Sequence, residues 1–208
     1  MSLTDKLKAW TAIHEERIGR PAPLNPATDD VLDEIRQTSG MELPPEYEEL
    51  LRYSNGIGPN WTPTGNYNYF PRAKFVDVRA ELIVPRQITV GWDKELLDIP
   101  GAAESSLHLF NADYFVAIVC EGPATGALWH YSEEARWLAR SLSELVERCI
   151  EFHHNGWLDW DVNGEGTGCW LAEISFDGPG PFGSLDGPLP YDLSIDRLRR
   201  HEWRWPLE

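Results

Sequence analysis

Three glycines follow a spacing that is typical of nucleotide sites. Gly178, Gly180 and Gly183 match the pattern G-x-G-x-x-G, in which backbone N–H groups and a following helix bind the phosphates of a dinucleotide. Here Pro179 and Pro181 occupy two intervening positions and supply no N–H group, and the sequence after Gly183 opens no helix. The pattern therefore indicates a loop and not a nucleotide site.

A second stretch resembles the start of a calcium-binding loop. Asp159, Asp161 and Asn163, followed by Gly164, alternate short oxygen ligands around a glycine turn, as an EF-hand does. The bidentate glutamate of an EF-hand would stand at the twelfth position, which is Trp170 here. We interpret the stretch as a turn with solvated carboxylates, and calcium-dependent binding stays an alternative.

Histidine and cysteine patterns favour neither metal binding nor nucleophilic catalysis. His153 and His154 are adjacent, so they point to different faces of a helix, and no His-x-x-x-His spacing occurs. No Gly-x-Ser-x-Gly elbow is present, and Cys120 and Cys149 lie in apolar runs that are typical of a core strand and a core helix. We therefore predict that the protein is not an enzyme and holds no metal or cofactor.

Cysteine usage and hydropathy indicate the compartment. The three cysteines, of which the third is Cys169, are odd in number and widely spaced, which argues against a disulfide framework. The N-terminus lacks the apolar run of a secretory signal, and no stretch reaches the length of a membrane span. We expect a soluble, cytoplasmic protein without a membrane partner.

Acidic residues outnumber lysine and arginine by 34 to 18, which gives a formal net charge of −16. Such a field repels nucleic acid and anionic lipid and attracts basic partners. Between Arg148 and Arg197 there is no lysine or arginine, while carboxylates recur throughout. Solubility alone explains such a surface as well as a docking site for a cationic protein does.

Helices are predicted mainly in the first third of the chain. Apolar spacing indicates one helix over 4–17, a second from Thr28 to Gly40 and a third that begins at Pro44. A fourth helix follows Ser141, where Glu144 three residues later predicts a capping box, and Asn155-Gly156 ends it.

Strands are predicted between the third and fourth helices. Strand-like runs lie at 73–78, 81–90, 106–111, 113–120 and 126–131, after a loop over 57–72, and a further strand is predicted at 169–176. The predicted fold is α+β: a single domain with a mainly antiparallel central sheet of about five or six strands flanked by helices. The last two of the five runs should pair as an antiparallel meander.

The segment from Leu43 to Gly56 resembles the signature of the SUKH superfamily, which includes the yeast cell-wall-synthesis regulator family and bacterial immunity proteins. The signature positions are Leu43, Pro44, Tyr47, Leu50, Leu51, Asn55 and Gly56. The strand pair that contains Trp129 and the helix that opens with Ser141 and Glu144 follow in the same order as in that family. All of these residues are typical of structural roles: helix starts, helix ends and core.

The resemblance covers about residues 28–154 and implies an interaction module. We expect a helical extension over 1–27, a SUKH-like domain over 28–156, and a C-terminal extension over 157–208, rich in Trp, Gly, Pro and Asp, packed on the domain. By analogy with the family, the expected function is immunity: binding and neutralising a cognate bacterial toxin with a basic surface, for example a nuclease. A regulatory or scaffolding role in cell-envelope control is the alternative.

Aromatic and acidic residues outside the signature are the candidates for partner contact. Tyrosine and tryptophan anchor many interfaces, and carboxylates would steer a basic partner towards them. The candidates are Trp61, Tyr67, Tyr69, Glu133, Glu134, Asp159, Asp161 and Glu165. Packing over the edge between the helices and the sheet is the alternative explanation for the aromatic residues, and the simpler one. A monomer or a weak dimer is expected.

Overall fold

Helices come first along the chain, strands follow, and one helix and two strands complete the order. A computed structural model describes residues 1–56, 67–70, 73–75, 104–112, 115–131, 135–156, 158–161 and 167–171. The helices are α1 (Leu3–Ile18), α2 (Asp29–Ser39), α3 (Pro45–Tyr53) and α4 (Leu142–His154). The strands are β1 (Tyr67–Phe70), β2 (Ala73–Phe75), β3 (Ser106–Ala112), β4 (Phe115–Val119), β5 (Leu128–Tyr131), β6 (Ala135–Ala139), β7 (Leu158–Asp161) and β8 (Thr167–Leu171).

The strands form one sheet in the order β6-β5-β4-β3-β2-β1-β8-β7. All neighbouring strands pair antiparallel except β1 and β8, which are parallel. The α+β class and the mainly antiparallel sheet are therefore confirmed. The expected number of five or six strands is too low, because the described residues alone form eight.

Most of the predicted strands are present in the structure, but two strands are additional and one replaces part of a predicted loop. β3, β4 and β5 match the predicted runs, and β4 pairs with β5 antiparallel as expected. β1 occupies Tyr67–Phe70 within the predicted loop over 57–72, so the loop prediction is wrong for these four residues. β6 and β7 were not predicted, and the predicted strand at 81–90 lies outside the described residues.

Local sequence signals fix both ends of α1 and the C-terminal end of α2, whereas the Thr28 side chain does not cap the start of α2. The Ser2 side chain accepts a hydrogen bond from the Asp5 backbone N–H, and Asp5 returns the contact as a capping box. Gly19 and Gly40 end the two helices in the left-handed conformation, at φ 75° and 67°, which glycine adopts without a steric penalty.

α3 begins and ends as its prolines and glycine predict, with one difference. Pro44 precedes the helix and Pro45 opens it. The residue after the helix, Ser54, is extended, and the left-handed turn follows only at Gly56, at φ 76°. This extended corner pairs with the segment before α2: the Asn55 N–H donates to the Asn25 carbonyl at 2.7 Å.

The predicted capping box of α4 forms only in part. The Ser141 hydroxyl accepts from the Glu144 backbone N–H at 3.1 Å, as predicted. The Glu144 carboxylate does not close the box on Ser141; it accepts instead from the Arg140 backbone N–H at 2.8 Å and from the Arg140 side chain. The nearby arginine competes successfully because it adds a charged donor to the backbone donor.

The hydrophobic core is formed by residues of the sheet and of α1, α2, α3 and α4. Its largest fully buried side chains include Trp10 of α1 and Tyr47 of α3, whereas Trp129 of β5 is buried outside this cluster. Trp129 satisfies its indole N–H by donating to the Ser106 hydroxyl at 2.8 Å. In the part of the chain that the structure describes, no helix is long and apolar enough to cross a membrane.

Candidate protein-interaction surface

The structure locates only some of the predicted partner-contact residues. Trp61, Glu133, Glu134 and Glu165 lie outside the described residues. Tyr67 and Tyr69 belong to β1, and Asp159 and Asp161 belong to β7; for these four the strand backbone is placed.

The sheet brings β1 and β7 close together, although about ninety residues of sequence lie between them. β8 is the only strand between β1 and β7. Gly168 of β8 is opposite Asn68 of β1 on one side and opposite Asp161 of β7 on the other. The aromatic segment and the acidic tail segment therefore meet in one corner of the sheet, which periodicity alone does not predict.

A second surface, which the sequence analysis did not single out, is strongly acidic. It consists of α2, α3 and their connecting segment, residues 29–53, and is called the α2–α3 acidic surface below. Its carboxylates are all exposed or half-buried: Asp29, Asp30, Asp33, Glu34, Glu42, Glu46, Glu48 and Glu49. Arg36 and Arg52 are the basic residues of this segment, so its formal net charge is −6.

The two arginines of this surface are both engaged in ion pairs that join α2 to α3. Arg36 contacts Asp33 at 2.9 Å and Glu48 at 2.6 Å. Arg52 contacts Asp29 at 2.7 Å and Glu48 at 2.9 Å. Ion pairs that keep contact with solvent, as these do, each contribute little to stability. Their main consequence is electrostatic, because both positive charges are neutralised within the surface and the remaining carboxylates dominate its field.

A groove of about 490 Å³ lies between α1 and α3, along one side of the α2–α3 acidic surface. Leu43, Pro45 and Tyr53 give it apolar walls, and Thr4, Glu48, Glu49 and Arg52 give it polar ones. Glu49 crosses to α1, where its Oε1 accepts from the Thr4 N–H at 2.7 Å and from the Thr4 hydroxyl at 2.6 Å. Because Thr4 lies in the first turn of α1, this carboxylate also satisfies a backbone donor that the helix cannot use itself.

The signature residues of α3 are placed in the core or at its ends. Tyr47, Leu50 and Leu51 are fully buried, and the Tyr47 hydroxyl donates to the His108 carbonyl of β3 at 3.2 Å. Burial raises the pKa of Tyr47 well above its usual value, so this phenol stays a neutral donor. The buried face of α3 thus fixes its position on the sheet, while its carboxylates Glu46, Glu48 and Glu49 are half-buried.

An aromatic cluster docks β7 against α1 and α4. The Trp160 ring lies 4.8 Å from the ring centre of His14, 6.0 Å from Trp10 and 5.8 Å from His153. His153 also lies near Arg17 of α1. Burial, together with the positive charges of Arg17 and His154, lowers the pKa of His153 below 6.5. His153 therefore lies in the last turn of α4 and also packs against the Trp160 ring.

Neither described thiol has the environment of a nucleophile. Cys120 and Cys149 are both free and buried. Burial raises the pKa of Cys120 to about 12 and also raises the pKa of Cys149, so both stay protonated at neutral pH. Among the residues that the structure describes, no group of three His, Cys, Asp or Glu side chains could hold a metal ion.

The α2–α3 acidic surface could have been recognised from the sequence by a local count of charge. The segment after Arg148 is recognisably acidic because it contains no lysine or arginine before Arg197. Segment 29–53 contains two arginines, which make its excess of carboxylates less obvious. Only the ion pairs show that these arginines are already neutralised.

The chain matches a protein-family model over more than half of its length. The model described as SMI1 / KNR4 family (SUKH-1) covers residues 26–148, which include α2, α3, the β1–β6 strands and the first half of α4. The whole α2–α3 acidic surface lies within these residues. Among curated proteins, none matches the chain significantly.

Proposed function

We propose, because the chain belongs to the SMI1 / KNR4 family (SUKH-1), that the protein is an immunity protein that binds a cognate bacterial toxin and blocks its working face. Proteins of this family are known as non-enzymatic immunity or regulatory proteins. The proposed partner carries a basic surface, and the proposed site of action is the cytoplasm.

The observation that carries this proposal is the α2–α3 acidic surface. A toxin that acts on nucleic acid needs a basic face, and a dense group of carboxylates resembles the phosphates that such a face binds. Opposite fields accelerate encounter and orient the two proteins before close contact forms. The surface stands on helices held by a buried core, so it needs little rearrangement on binding.

Tyr67, Tyr69, Asp159 and Asp161 are proposed as a second contact region, together with Trp61, Glu133, Glu134 and Glu165. The corner formed by β1, β8 and β7 supports this proposal, because it joins an aromatic and an acidic segment. Aromatic anchors supply affinity and carboxylates supply orientation, so the two kinds of residue complement each other at an interface.

The alternative function is regulation or scaffolding in cell-envelope control, which the same family placement supports. The two functions differ in what the protein must do alone. An immunity protein protects a cell against one toxin, whereas a regulatory module alters envelope synthesis in the absence of any toxin.

The test is co-expression of the protein with the product of the neighbouring toxin gene. We expect the full chain to restore growth and to co-purify with the toxin as a stable complex. Growth inhibition that persists despite soluble protein, with no complex, would overturn the immunity function. An envelope defect on deletion of the gene in a toxin-free strain would favour the regulatory alternative.

Matched variants test the role of the acidic surface. Asp30→Asn with Glu42→Gln removes two exposed charges from the α2–α3 acidic surface, and Glu121→Gln with Glu151→Gln removes two exposed charges elsewhere. The first pair should slow association with the toxin by about tenfold at low salt, since steering is a long-range charge effect. The second pair should have a clearly smaller effect. Equal effects would mean that only the total charge matters.

A further inference from the structure

We propose that the groove between α1 and α3 binds an arginine side chain of the partner protein. This inference rests on the proposed function, because it names the part of a basic partner that the acidic surface would hold. The groove combines an apolar wall with a carboxylate at its side, which is the combination that a long cationic side chain requires.

Glu49 is the group in the groove whose charge is not balanced. Glu48, beside it, contacts both Arg36 and Arg52. Glu49 receives hydrogen bonds only from Thr4, both to Oε1, and no cation among the described residues pairs with it. Its Oε2 is therefore the oxygen at which a cation from another molecule gains most.

The positive charge of Arg52 does not close the groove to a second cation. Its guanidinium already contacts Asp29 at 2.7 Å and Glu48 at 2.9 Å. The hydrogen bonds that Arg52 donates to Asp29 and Glu48 are the main cause that raises the pKa of Arg52. An incoming cation therefore meets a neutralised arginine together with the unbalanced charge of Glu49.

The apolar wall favours arginine over lysine. Leu43 is almost fully buried, and with Pro45 and Tyr53 it offers carbon surface to the stem of a side chain. A guanidinium is more weakly hydrated than an ammonium group and tolerates such a surface better. The occupant is therefore an arginine on an exposed segment of the partner, with its stem along Leu43 and Tyr53 and its head at Glu49.

The experiment is an NMR titration of the isotope-labelled full chain at low salt with the blocked peptide Gly-Arg-Gly. The matched control peptide is Gly-citrulline-Gly, which has nearly the same shape without the charge. The Thr4 amide is a direct reporter, because it donates to the carboxylate that should receive the arginine. We expect saturable shifts at Thr4 and Glu49 with a dissociation constant in the millimolar range for the arginine peptide, and none for the citrulline peptide.

Two single variants test the position of the site. Glu49→Gln keeps an oxygen for the Thr4 hydrogen bonds but removes the charge, and it should weaken peptide binding at least about fivefold. Glu121→Gln removes an equal charge from the exposed β4–β5 turn and should leave binding unchanged. If Glu49→Gln does not fold, the comparison of the two peptides on the unaltered chain still decides.

Three results would overturn the proposal: no saturable shift at Thr4, equal shifts with the citrulline peptide, or equal weakening by both variants. The titration uses no toxin, so its outcome is independent of the growth test. If the protein binds the peptide but protects against no toxin, the groove proposal stands and the immunity proposal fails. If the protein protects against a toxin but does not bind the peptide, the immunity proposal stands and the groove proposal fails.

Discussion

The Glu46 carboxylate on α3 accepts a hydrogen bond at 3.1 Å from the backbone N–H of Ser143, in the first turn of α4. The first backbone donors of a helix have no partner within it, and a carboxylate there also interacts favourably with the helix dipole. This contact joins the signature helix to the last helix of the matched region, 97 residues later in the sequence. It shows how the exposed side of α3 contributes to the fold as well as to the acidic surface.

Removing this contact should destabilise the protein. We expect Glu46→Ala to lower the free energy of unfolding by about 1 kcal/mol, the typical cost of losing a helix cap. Glu42→Ala is the control, because Glu42 is exposed and lies in the same segment. Urea unfolding of both variants measures the difference, and equal stabilities would show that the contact contributes nothing.

Glu144 should make the stability of the protein depend on pH in the acid range. Burial acts to raise the pKa of Glu144, but hydrogen bonds from Arg140 and the charge of Arg148 outweigh it, and the net pKa lies below 4.5. Because the pKa of Glu144 is lower in the folded than in the unfolded protein, its ionised carboxylate stabilises the fold above pH 4.5. This stabilisation is lost as the pH falls through the folded-state pKa of Glu144. In urea unfolding against pH, Glu144→Gln should show a shallower acid decline than the unaltered chain. Parallel curves would contradict this assignment.

Trp160 should hold the β7–β8 hairpin against the helices. Its ring contacts His14, Trp10 and His153, so truncation removes packing from three sides. We expect Trp160→Ala to cost about 2 kcal/mol, less than for a fully buried tryptophan because Trp160 is partly exposed. Trp160→Phe, which keeps a ring, should cost less. Thermal unfolding compares the two variants, and equal losses would mean that the ring itself does not hold the hairpin.

The buried thiols should be unreactive in the folded protein. In a Cys169→Ser background, only Cys120 and Cys149 remain, and burial keeps both protonated at neutral pH. A thiol reagent should therefore modify neither cysteine at pH 8 and both of them after denaturation in urea. Rapid reaction of the native protein would show that one of the thiols is accessible and ionised.

The helices were predictable because their ends depend on neighbouring residues. Ser141, Gly40 and Pro45 each act within a few positions of the chain, and each stands where the sequence placed it. β6 and β7 are missed because runs of only four or five residues give too little periodicity to identify a strand before its partner strands are known. Leu158 of β7, for example, is paired with Leu171, and β8 in turn pairs with β1, about one hundred residues earlier.

The candidate site was less predictable than the fold for the same reason. The charge of Glu49 matters because Thr4, 45 residues away, is its hydrogen-bond partner and supplies no positive charge. The arginines of the acidic surface look available in the sequence, but both are paired in the structure. Local composition predicts that the surface carries a net negative charge. Only the tertiary contacts show which carboxylate has no positive partner.

Calorimetric titration of the purified toxin from the neighbouring gene into the full chain, at low and at high salt, tests the central claim most directly. The account predicts tight binding with a single site, and a dissociation constant that rises with salt because opposite charges are screened. No heat of binding, or an affinity that salt leaves unchanged, would contradict an immunity protein that holds its toxin through an acidic surface.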